Sequence, residues 1–554
     1  MDTHPSKLRW LPAFAYGLVV LGPCIALAGP AGVPLADWPA LIVPTGRRLT
    51  LWLRSIGLAS GVAAGGMGLG FLMALWLQRR RDTHWAGWRY LFALLAPLPP
   101  MTHAMAWSWL LAQINIILQR AGLQGVGLSA LPATGWLVAG WVQIVWLAPL
   151  ATGFSLIALD SVPHDLTEAA HLLQPDTRAL TKIILPLAAP LLLAGGGLLF
   201  LLSLVDYSIP SIFQVNVFAL DIFADFSVHG QPGRALLVAI PLLAATAAAI
   251  IFSQGRLRSA ALDPPRRRPG PARADAWPSW LRTLVSGAQV AMLLAVTVPA
   301  VSLVTQIGSW ERLYTTVSAG AGEIGYSFQV ALLASLLSLP LATAAAQGAL
   351  QDKWMSVSSD RRTPGRLGAW TGRAWWLAIT IPMALPGPLI GIGLIGLWNH
   401  PTIAALSIYG SRFMPVLAAL ARYTPLGALV MIATLRRLNP DLIDAARLLQ
   451  GSRVRRWLLI RLPLLAPGLL AAAAVVFCLT LGELSATLLV AAPGSPTLTM
   501  RIYNYLHYGA SGTVAGLTLV LTVLVLVLGA LTAMTQALWA RIAAVDTDSG
   551  EACL

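Results

Sequence analysis

Long apolar runs separated by short polar segments recur along the whole chain. Each run has about the 20 mostly apolar residues that a helix needs to cross a bilayer. The runs of the first half lie near 11–28, 52–77, 90–112, 136–159, 187–205 and 235–253. Those of the second half lie near 283–304, 327–348, 374–398, 413–435, 464–490 and 513–540. The pattern predicts an all-α integral membrane protein with about twelve transmembrane helices in two sets of six.

The composition supports a membrane location. Of the 554 residues, 57% are hydrophobic and only 11% are charged, whereas a soluble domain carries about 25% charged residues. A formal net charge of +15 is otherwise typical of nucleic-acid-binding proteins. Here the Arg and Lys residues fall in short loops between apolar runs, as the positive-inside rule describes for cytoplasmic loops. The charge therefore predicts orientation and contact with membrane lipid, and no nucleic-acid partner.

The basic loops all fall on one side of the membrane if both termini are cytoplasmic. Residues 79–81 follow the second run and are all Arg, and the segment 353–373 after the eighth run is also basic. The segment 206–233, on the opposite side, carries three Asp residues and no Lys or Arg. We therefore expect a multi-pass protein of the bacterial inner membrane with both termini in the cytoplasm. The segment 256–282 is rich in Pro and Arg, which predicts a stiff, solvated cytoplasmic linker, compatible with contact to anionic lipid.

One charged amphipathic segment occurs twice. Residues 165–186 read DLTEAAHLLQPDTRALTKIILP, and residues 441–463 read DLIDAARLLQGSRVRRWLLIRLP. The closing residues Pro186 and Pro463 lie 277 positions apart, which is half of the chain. A repeat at this distance indicates two fused homologous units of six helices each. The predicted domains are a first half at 1–255, the linker at 256–282 and a second half at 283–554, with the repeated loops at 163–186 and 439–463.

Each repeated loop is predicted to begin a short helix. Asp165 and Asp441 stand where a helix N-cap is expected, three residues before Glu168 and Asp444. An early carboxylate also suits the helix dipole. Paired alanines then allow another backbone to approach, and paired leucines supply apolar contacts. Such a helix fits either a groove on a partner protein or the surface of the membrane, and the residue types alone leave both possibilities open.

The two loops resemble the EAA loop of the permeases of binding-protein-dependent ABC importers. The shared pattern is an acidic residue, two alanines and a closing Ile-x-Leu-Pro, and it occurs in both halves. In that family the loop forms a coupling helix that docks on the ATP-hydrolysing subunit. The resemblance assigns this coupling to Glu168, Ala169, Ala170, Leu172, Leu173, Asp444, Ala445, Ala446, Leu448, Leu449 and Gly451. The chain departs from the family where Gln174 and Gln450 replace a glycine and where Asp444 replaces a glutamate.

The resemblance also implies the partners. The chain contains no GxxxxGK[ST] phosphate-binding motif and no Gly-Lys pair, so ATP and Mg²⁺ are expected on a separate ABC ATPase subunit, present in two copies. An extracytoplasmic substrate-binding protein is the other implied partner. The sequence shows neither a Ser/His/Asp or Cys/His arrangement nor a metal-ligand spacing of its cysteines. We therefore expect no enzyme activity, cofactor or metal site in the chain itself.

Two acidic residues at matching positions are candidates for the translocation pathway or its gate. Asp206 and Glu483 are 277 residues apart, and each follows an apolar run. Because a carboxylate is costly among apolar helices, it usually faces a cavity or a partner. The alternative is a structural hydrogen bond that locks two helices, and both hypotheses stay open. His229 and His507 also match, and we expect ordinary loop residues there rather than contacts to a binding protein or a metal-bearing substrate.

Together these features predict an ATP-driven importer permease that moves a small solute by alternating access. A single chain with two six-helix halves resembles the iron(III) and thiamine importers, and 482–509 resembles sulfate, molybdate and iron(III) permeases. Iron(III) is the favoured substrate, and thiamine, a polyamine, a phosphonate or an oxyanion remain alternatives. The rival function is a secondary transporter with six plus six helices, driven by an ion gradient. The first apolar run, which ends in a small-residue site at 26–28, is predicted to be a retained helix rather than a signal peptide.

Overall fold

The described part of the chain is helical. The computed structural model describes residues 10–27, 32–79, 98–122, 134–260, 277–350, 366–438, 452–507 and 511–551, and these residues contain no strand. Nine helices among them are long and apolar enough to cross a membrane, and the bent pair Trp370–Ala384 and Gly387–Trp398 would make a tenth. The predicted all-α membrane fold is confirmed, whereas the number of about twelve spans stays a prediction.

The α-helices are numbered here in chain order. They are α1 (Trp10–Tyr16), α2 (Gly22–Leu27), α3 (Trp38–Ile42), α4 (Gly46–Arg79), α5 (Pro100–Arg120), α6 (Thr134–Asp160), α7 (His164–Leu173), α8 (Asp176–Ala179), α9 (Leu185–Val205), α10 (Ser208–Ile212), α11 (Phe218–His229), α12 (Pro232–Ala260), α13 (Ser279–Ile307), α14 (Trp310–Ala319), α15 (Ala321–Ala349), α16 (Arg366–Ala384), α17 (Gly387–Trp398), α18 (Met414–Arg437), α19 (Arg453–Arg456), α20 (Leu462–Leu481), α21 (Thr487–Val490), α22 (Leu498–His507) and α23 (Ser511–Glu551).

Two compact units are present. Unit 1 combines Met1–Ala31, Ser318–His507 and Val523–Leu554, and unit 2 combines Gly32–Val317 and Tyr508–Thr522. Each unit thus contains the opening helices of one predicted half together with later helices of the other half. The predicted boundaries of the two halves at 255 and 283 follow the sequence repeat, and they stay a prediction.

In unit 2, the long helix α4 packs against α6 and α9. Gly70 permits this close approach, because a Cβ atom there would lie 2.6 Å from the backbone of Ala151. Near the end of α6, a buried apolar cluster that includes Leu75, Leu159 and Ile184 joins α4 and α6 to the start of α9. The loop that carries α7 therefore begins and ends beside this packed apolar cluster, which is called the base below.

In unit 1, helices α15, α18 and α20 pack together, and α1 and α2 join them. The Tyr16 hydroxyl donates to the Ala378 carbonyl oxygen at 3.2 Å. A Cβ atom at Gly393 would overlap the backbone carbonyl of Pro23, so α2 and α17 touch along their backbones. Residues 10–27 are therefore a packed part of this unit.

The sequence repeat is also a repeat of local geometry. A π-helical turn spans Leu180–Ile184 in the first copy and Trp457–Arg461 in the second. Each turn ends just before the Leu-Pro pair that closes the motif, and the two turns are 277 residues apart, as Pro186 and Pro463 are. A proline ring clashes with the carbonyl four residues earlier in an α-helix, and a locally wider turn relieves that clash.

The predicted span at 374–398 is not one helix. It breaks after Ala384, and α16 and α17 meet at an angle of 109°. Pro386 lacks the N–H that would continue the helix and disfavours helical geometry at Leu385, so it serves as the N-cap residue of α17. The bend at this proline is therefore sharp enough to separate two helices.

Candidate coupling helix and buried acidic sites

The first repeated loop forms a ten-residue helix, α7. The helix begins at His164, and Pro163 rather than Asp165 is its N-cap residue, with extended backbone angles of φ −56° and ψ 132°. The predicted N-cap is therefore two residues too late, because Pro163 already turns the chain. Thr167 donates both its amide and its hydroxyl to the Pro163 carbonyl oxygen, each at 3.1 Å. The helix start is thus fixed by backbone geometry.

The side chains that the sequence assigns to coupling divide between two faces of α7. Ala170 is buried, whereas Glu168 and Ala169 are exposed. Leu172 is 71% exposed and Leu173 is 81% exposed. Two neighbouring leucines at the end of a short polar helix are an apolar surface that a partner could cover.

The helix ends without the glycine that the related loops carry. Gln174 is the C-cap residue, with φ −144° and ψ 153°. This is extended backbone that any residue adopts, and the Gln174 amide still donates to the Ala170 carbonyl oxygen at 3.0 Å. The departure from the family pattern at this position therefore carries no conformational cost.

The second repeated loop lies mostly outside the described residues. Its predicted coupling residues there are Asp444, Ala445, Ala446, Leu448, Leu449 and Gly451. The description resumes at Ser452 and includes α19 and the π-helical turn that follows it. The coupling role of this copy stays a prediction from the sequence.

Asp206 lies at the end of α9 and is held by neutral hydrogen-bond donors. The Gln143 amide donates to Oδ2 at 3.0 Å, and the Ser208 amide donates to Oδ1 at 3.1 Å. The Ile209 amide donates to Oδ2 at 3.3 Å, and the Ser208 hydroxyl also donates to the carboxylate. Gln143 in turn accepts a hydrogen bond from the Ser203 hydroxyl at 2.7 Å. The carboxylate thus connects α6, α9 and the first turn of α10.

Glu483 lies in the corresponding place of unit 1 and has a cationic partner. Arg422 of α18 donates from Nη1 to Oε1 at 2.9 Å and to Oε2 at 2.8 Å. The Tyr423 hydroxyl and the Ala486 amide also donate to the carboxylate. Glu483 is buried, and the Arg422 side chain is only 20% exposed. The two repeat-related acids therefore sit in different electrostatic environments, one neutral and one paired.

The partners of both acids were not among the predicted site residues. Gln143 and Arg422 each interrupt an otherwise apolar predicted span. A polar or charged residue in such a position usually pairs with another polar group, so this signal was available in the sequence. What the sequence does not contain is the identity of the partner, since Gln143 and Asp206 are separated by 63 positions.

Ion pairs also hold the helices that follow the acidic sites. In unit 2, Arg48 of α4 and Arg234 of α12 donate to the two carboxylate oxygens of Asp225 on α11, at 2.8 and 3.1 Å. His229 of the same helix contacts the Asp225 backbone carbonyl oxygen through Nδ1 at 2.9 Å. These contacts stay within the unit, and His229 is the last residue of α11 rather than a loop residue; its role stays a prediction. The His507 side chain lies outside what the structure describes.

In unit 1, the corresponding helix α22 is also held by an ion pair, but here the helix carries the cation and its partner carries the carboxylate. Arg501 donates to the Glu323 carboxylate, and its Nη2 donates to the Tyr505 hydroxyl at 3.2 Å. Desolvation lowers the pKa of Arg501, but hydrogen bonds to Glu323 and Tyr505 outweigh this effect and hold that pKa above its ordinary value. Arg501 is therefore charged throughout the physiological pH range.

The described residues contain no group of three or more His, Cys, Asp or Glu side chains that could hold a metal ion. The polar sites of this part of the chain are hydrogen-bonded pairs and small networks. Their arrangement provides helix-to-helix contacts rather than a set of metal ligands.

Comparisons with known proteins match part of the chain. Residues 364–541 match the family described as binding-protein-dependent transport system inner membrane component. A relative from Salmonella typhimurium, named putative 2-aminoethylphosphonate transport system permease protein PhnV, is 28% identical over 155 residues, which are 28% of this chain and 57% of the relative. The protein of the same name from Salmonella typhi is 27% identical over 155 residues and is covered to 58%. The matched segment thus spans less than two thirds of the length of these relatives.

Proposed function

Because residues 364–541 match the family described as binding-protein-dependent transport system inner membrane component, we propose that the chain is the membrane-spanning permease of an ABC importer. It moves a small solute across the inner membrane by alternating access. The observation that carries the proposal is the helix α7, on which the Leu172 and Leu173 side chains are exposed. The loop that carries this helix is anchored beside the packed base. The repeat of its sequence falls inside the matched segment.

The partners follow from this function. Two copies of an ABC ATPase would each dock on one repeated loop, and they would bind the ATP and Mg²⁺ for which the sequence has no motif. A substrate-binding protein would deliver the solute from outside. The distribution of basic residues supports a cytoplasmic location for the repeated loops and both termini. The permease would contribute two conformations and the differential contacts that each partner makes with them.

The substrate is a small organophosphonate in this proposal. Two relatives carry 2-aminoethylphosphonate in their names, and a phosphonate is among the substrates that the sequence leaves open. Iron(III), which the resemblance favours, has no support from the comparisons.

For Asp206 and Glu483, the hydrogen-bond geometry favours the structural alternative. Each carboxylate accepts several hydrogen bonds within its own unit, and Glu483 is buried. A gate residue would need to exchange such partners during transport. We propose that these acids set the position of the segments that follow α9 and α20, and a direct contact with the solute is the second possibility.

The test of the proposal is reconstitution of the full chain with its ATPase and binding protein in proteoliposomes. Uptake of the solute should require ATP on the side of the membrane where the ATPase binds. A proton or sodium gradient alone should not drive this uptake. Uptake that proceeds on a gradient without ATP would support the secondary-transporter alternative instead. Excess 2-aminoethylphosphonate should compete with the transported solute and inhibit its uptake, whereas excess iron(III) or thiamine should not.

The coupling role of α7 has a matched control. Leu172→Asp and Leu173→Asp should each lower the amount of ATPase that co-purifies with the chain, because each places a charge in the apolar contact of one of the two docking loops. Leu406→Asp, at another exposed leucine (64% exposed), should leave co-purification unchanged. Equal binding of the ATPase by all three variants would remove the argument for α7 as the docking helix.

A further inference from the structure

Helix α14 presents three chemically different faces. Leu313 packs on a buried cluster formed by Leu303, Ile307 and Ala515 of unit 2. A Cβ atom at Gly516 of α23 would lie 3.1 Å from the Thr316 side chain, so this side of the helix lies against α23. Trp310, in contrast, is 83% exposed and Tyr314 is 72% exposed. Glu311 is exposed as well.

The spacing of these residues separates the faces. Successive residues turn by about 100° around an α-helix. Trp310 and Tyr314 are therefore only about 40° apart, and they project about 90° and about 130° away from the packed side that carries Leu313 and Thr316. Glu311 projects nearly opposite to the packed side, at about 170° from it. The helix thus has a packed side, an aromatic side and a polar side in succession.

The position of α14 in the chain places it at a membrane surface. The preceding helix α13 has 29 residues, which gives a length of about 43 Å, close to the 40–45 Å of a bilayer with its headgroups. The following helix α15 also has 29 residues and begins immediately after Gly320. Both are apolar enough to be membrane spans. A ten-residue helix between the ends of two such spans lies where lipid meets water.

Aromatic residues mark both ends of the first of these spans. Trp280, the second residue of α13, is 55% exposed, and Trp310 follows the other end of that helix by three residues. Exposed Trp and Tyr side chains at both ends of a span are typical of the aromatic belts at membrane interfaces. The ring enters the headgroup region while its polar atom keeps contact with water.

We propose that α14 lies in the plane of the membrane interface, with Trp310 and Tyr314 inserted among phospholipid headgroups and Glu311 directed to water. The helix then fixes the depth of α13 in the bilayer, because its packed side is held by α23 while its aromatic side is held by lipid. The inference rests on the membrane-spanning helices alone and does not depend on the proposed transport function.

Depth-dependent quenching tests this position. In the full chain carrying Cys553→Ser, a cysteine replaces Trp310, Tyr314 or Glu311 in turn and is labelled with an environment-sensitive fluorophore. The natural Cys478 is buried and Cys24 is half-buried, so both can stay in place and the core is undisturbed. The labelled chain, without any partner protein, is reconstituted in vesicles of phosphatidylethanolamine and phosphatidylglycerol. Lipids spin-labelled near the headgroup and aqueous iodide serve as the two quenchers.

The expected result is a ratio of lipid quenching to iodide quenching that is at least about threefold higher at positions 310 and 314 than at 311, as for an interfacial helix. An equal or lower ratio at 310 and 314 would overturn the proposal and would indicate that the aromatic side faces water, where a protein partner could bind it. Loss of quenching by both reagents at 310 and 314 would also overturn it, because those positions would then be covered by the protein itself.

Discussion

The Arg422 guanidinium donates hydrogen bonds to both carboxylate oxygens of Glu483, at 2.9 and 2.8 Å, across 61 positions of sequence. The Tyr423 hydroxyl donates to the same carboxylate. The pair joins α18 to the segment that follows α20 in a buried part of unit 1. Its repeat-related counterpart, Asp206, accepts only neutral donors among the described residues. The two acids, which lie 277 positions apart, therefore differ in the groups that balance their charge.

Removing Arg422 should destabilise the protein strongly. Arg422→Ala leaves the Glu483 carboxylate buried without its cation, and breaking such a pair costs about 3 kcal/mol or more. Thermal unfolding of the purified chain in detergent should show a clearly lowered Tm. The control is Arg47→Ala, because the Arg47 side chain is 77% exposed and lies 3.9 Å from its partner Asp221. That variant should unfold at the temperature of the parent chain.

Replacing both members of the pair distinguishes a lock from a gate. The double variant Arg422→Met with Glu483→Gln removes the buried charges together and keeps a side-chain oxygen that can accept from the Tyr423 hydroxyl and the Ala486 amide, so it avoids the cost of an unpaired buried charge. If the pair only locks the helices, both Tm and uptake in the reconstituted importer should recover relative to Arg422→Ala. Recovered Tm without recovered uptake would assign a direct role in transport to these side chains.

The hydrogen-bond network around Asp206 should be destabilised even by a substitution that preserves the shape of the side chain. Asp206→Asn keeps the shape but replaces one acceptor oxygen with a donor that faces the Gln143 amide or the Ser208 amide. Two donors that face each other lose their bond, and the expected cost is about 1–3 kcal/mol. Ser208→Ala is the milder comparison, since the Ser208 amide still donates to Asp206. A Tm for Asp206→Asn equal to that of Ser208→Ala would contradict this account of the site.

The contact between α2 and α17 should be sensitive to a single methyl group. Gly393→Ala places a Cβ atom against the Pro23 backbone, and overpacking of this kind costs about 1–3 kcal/mol because the backbone cannot move aside cheaply. Gly61→Ala in α4 is the matched control, since a Cβ atom there meets nothing within 4 Å. The control should be neutral or slightly stabilising, as alanine favours a helix over glycine. Equal Tm values for Gly393→Ala and Gly61→Ala would contradict the close backbone contact between α2 and α17.

Much of this protein follows from the sequence by itself. Apolar run length and the low proportion of charged residues determine an all-α membrane protein, because a bilayer accepts only segments whose backbone groups are satisfied internally. The repeat predicted two related loops, and the π-helical turns before Pro186 and Pro463 show that the same local sequence produces the same local geometry. These features depend on residues that are near each other in the chain.

Tertiary structure alone decided which distant residues meet. The sequence marks Arg422, Gln143 and Asp225 as polar residues that require partners, but it does not name Glu483, Asp206 or Arg48 as those partners. It also does not predict that residues 10–27 pack with α16 and α17, or that α13 packs with α4 and α5. Apolar helices have no preferred neighbour by composition, so side-chain shape, backbone approach at glycines such as Gly393 and the pairing of buried charges select the arrangement.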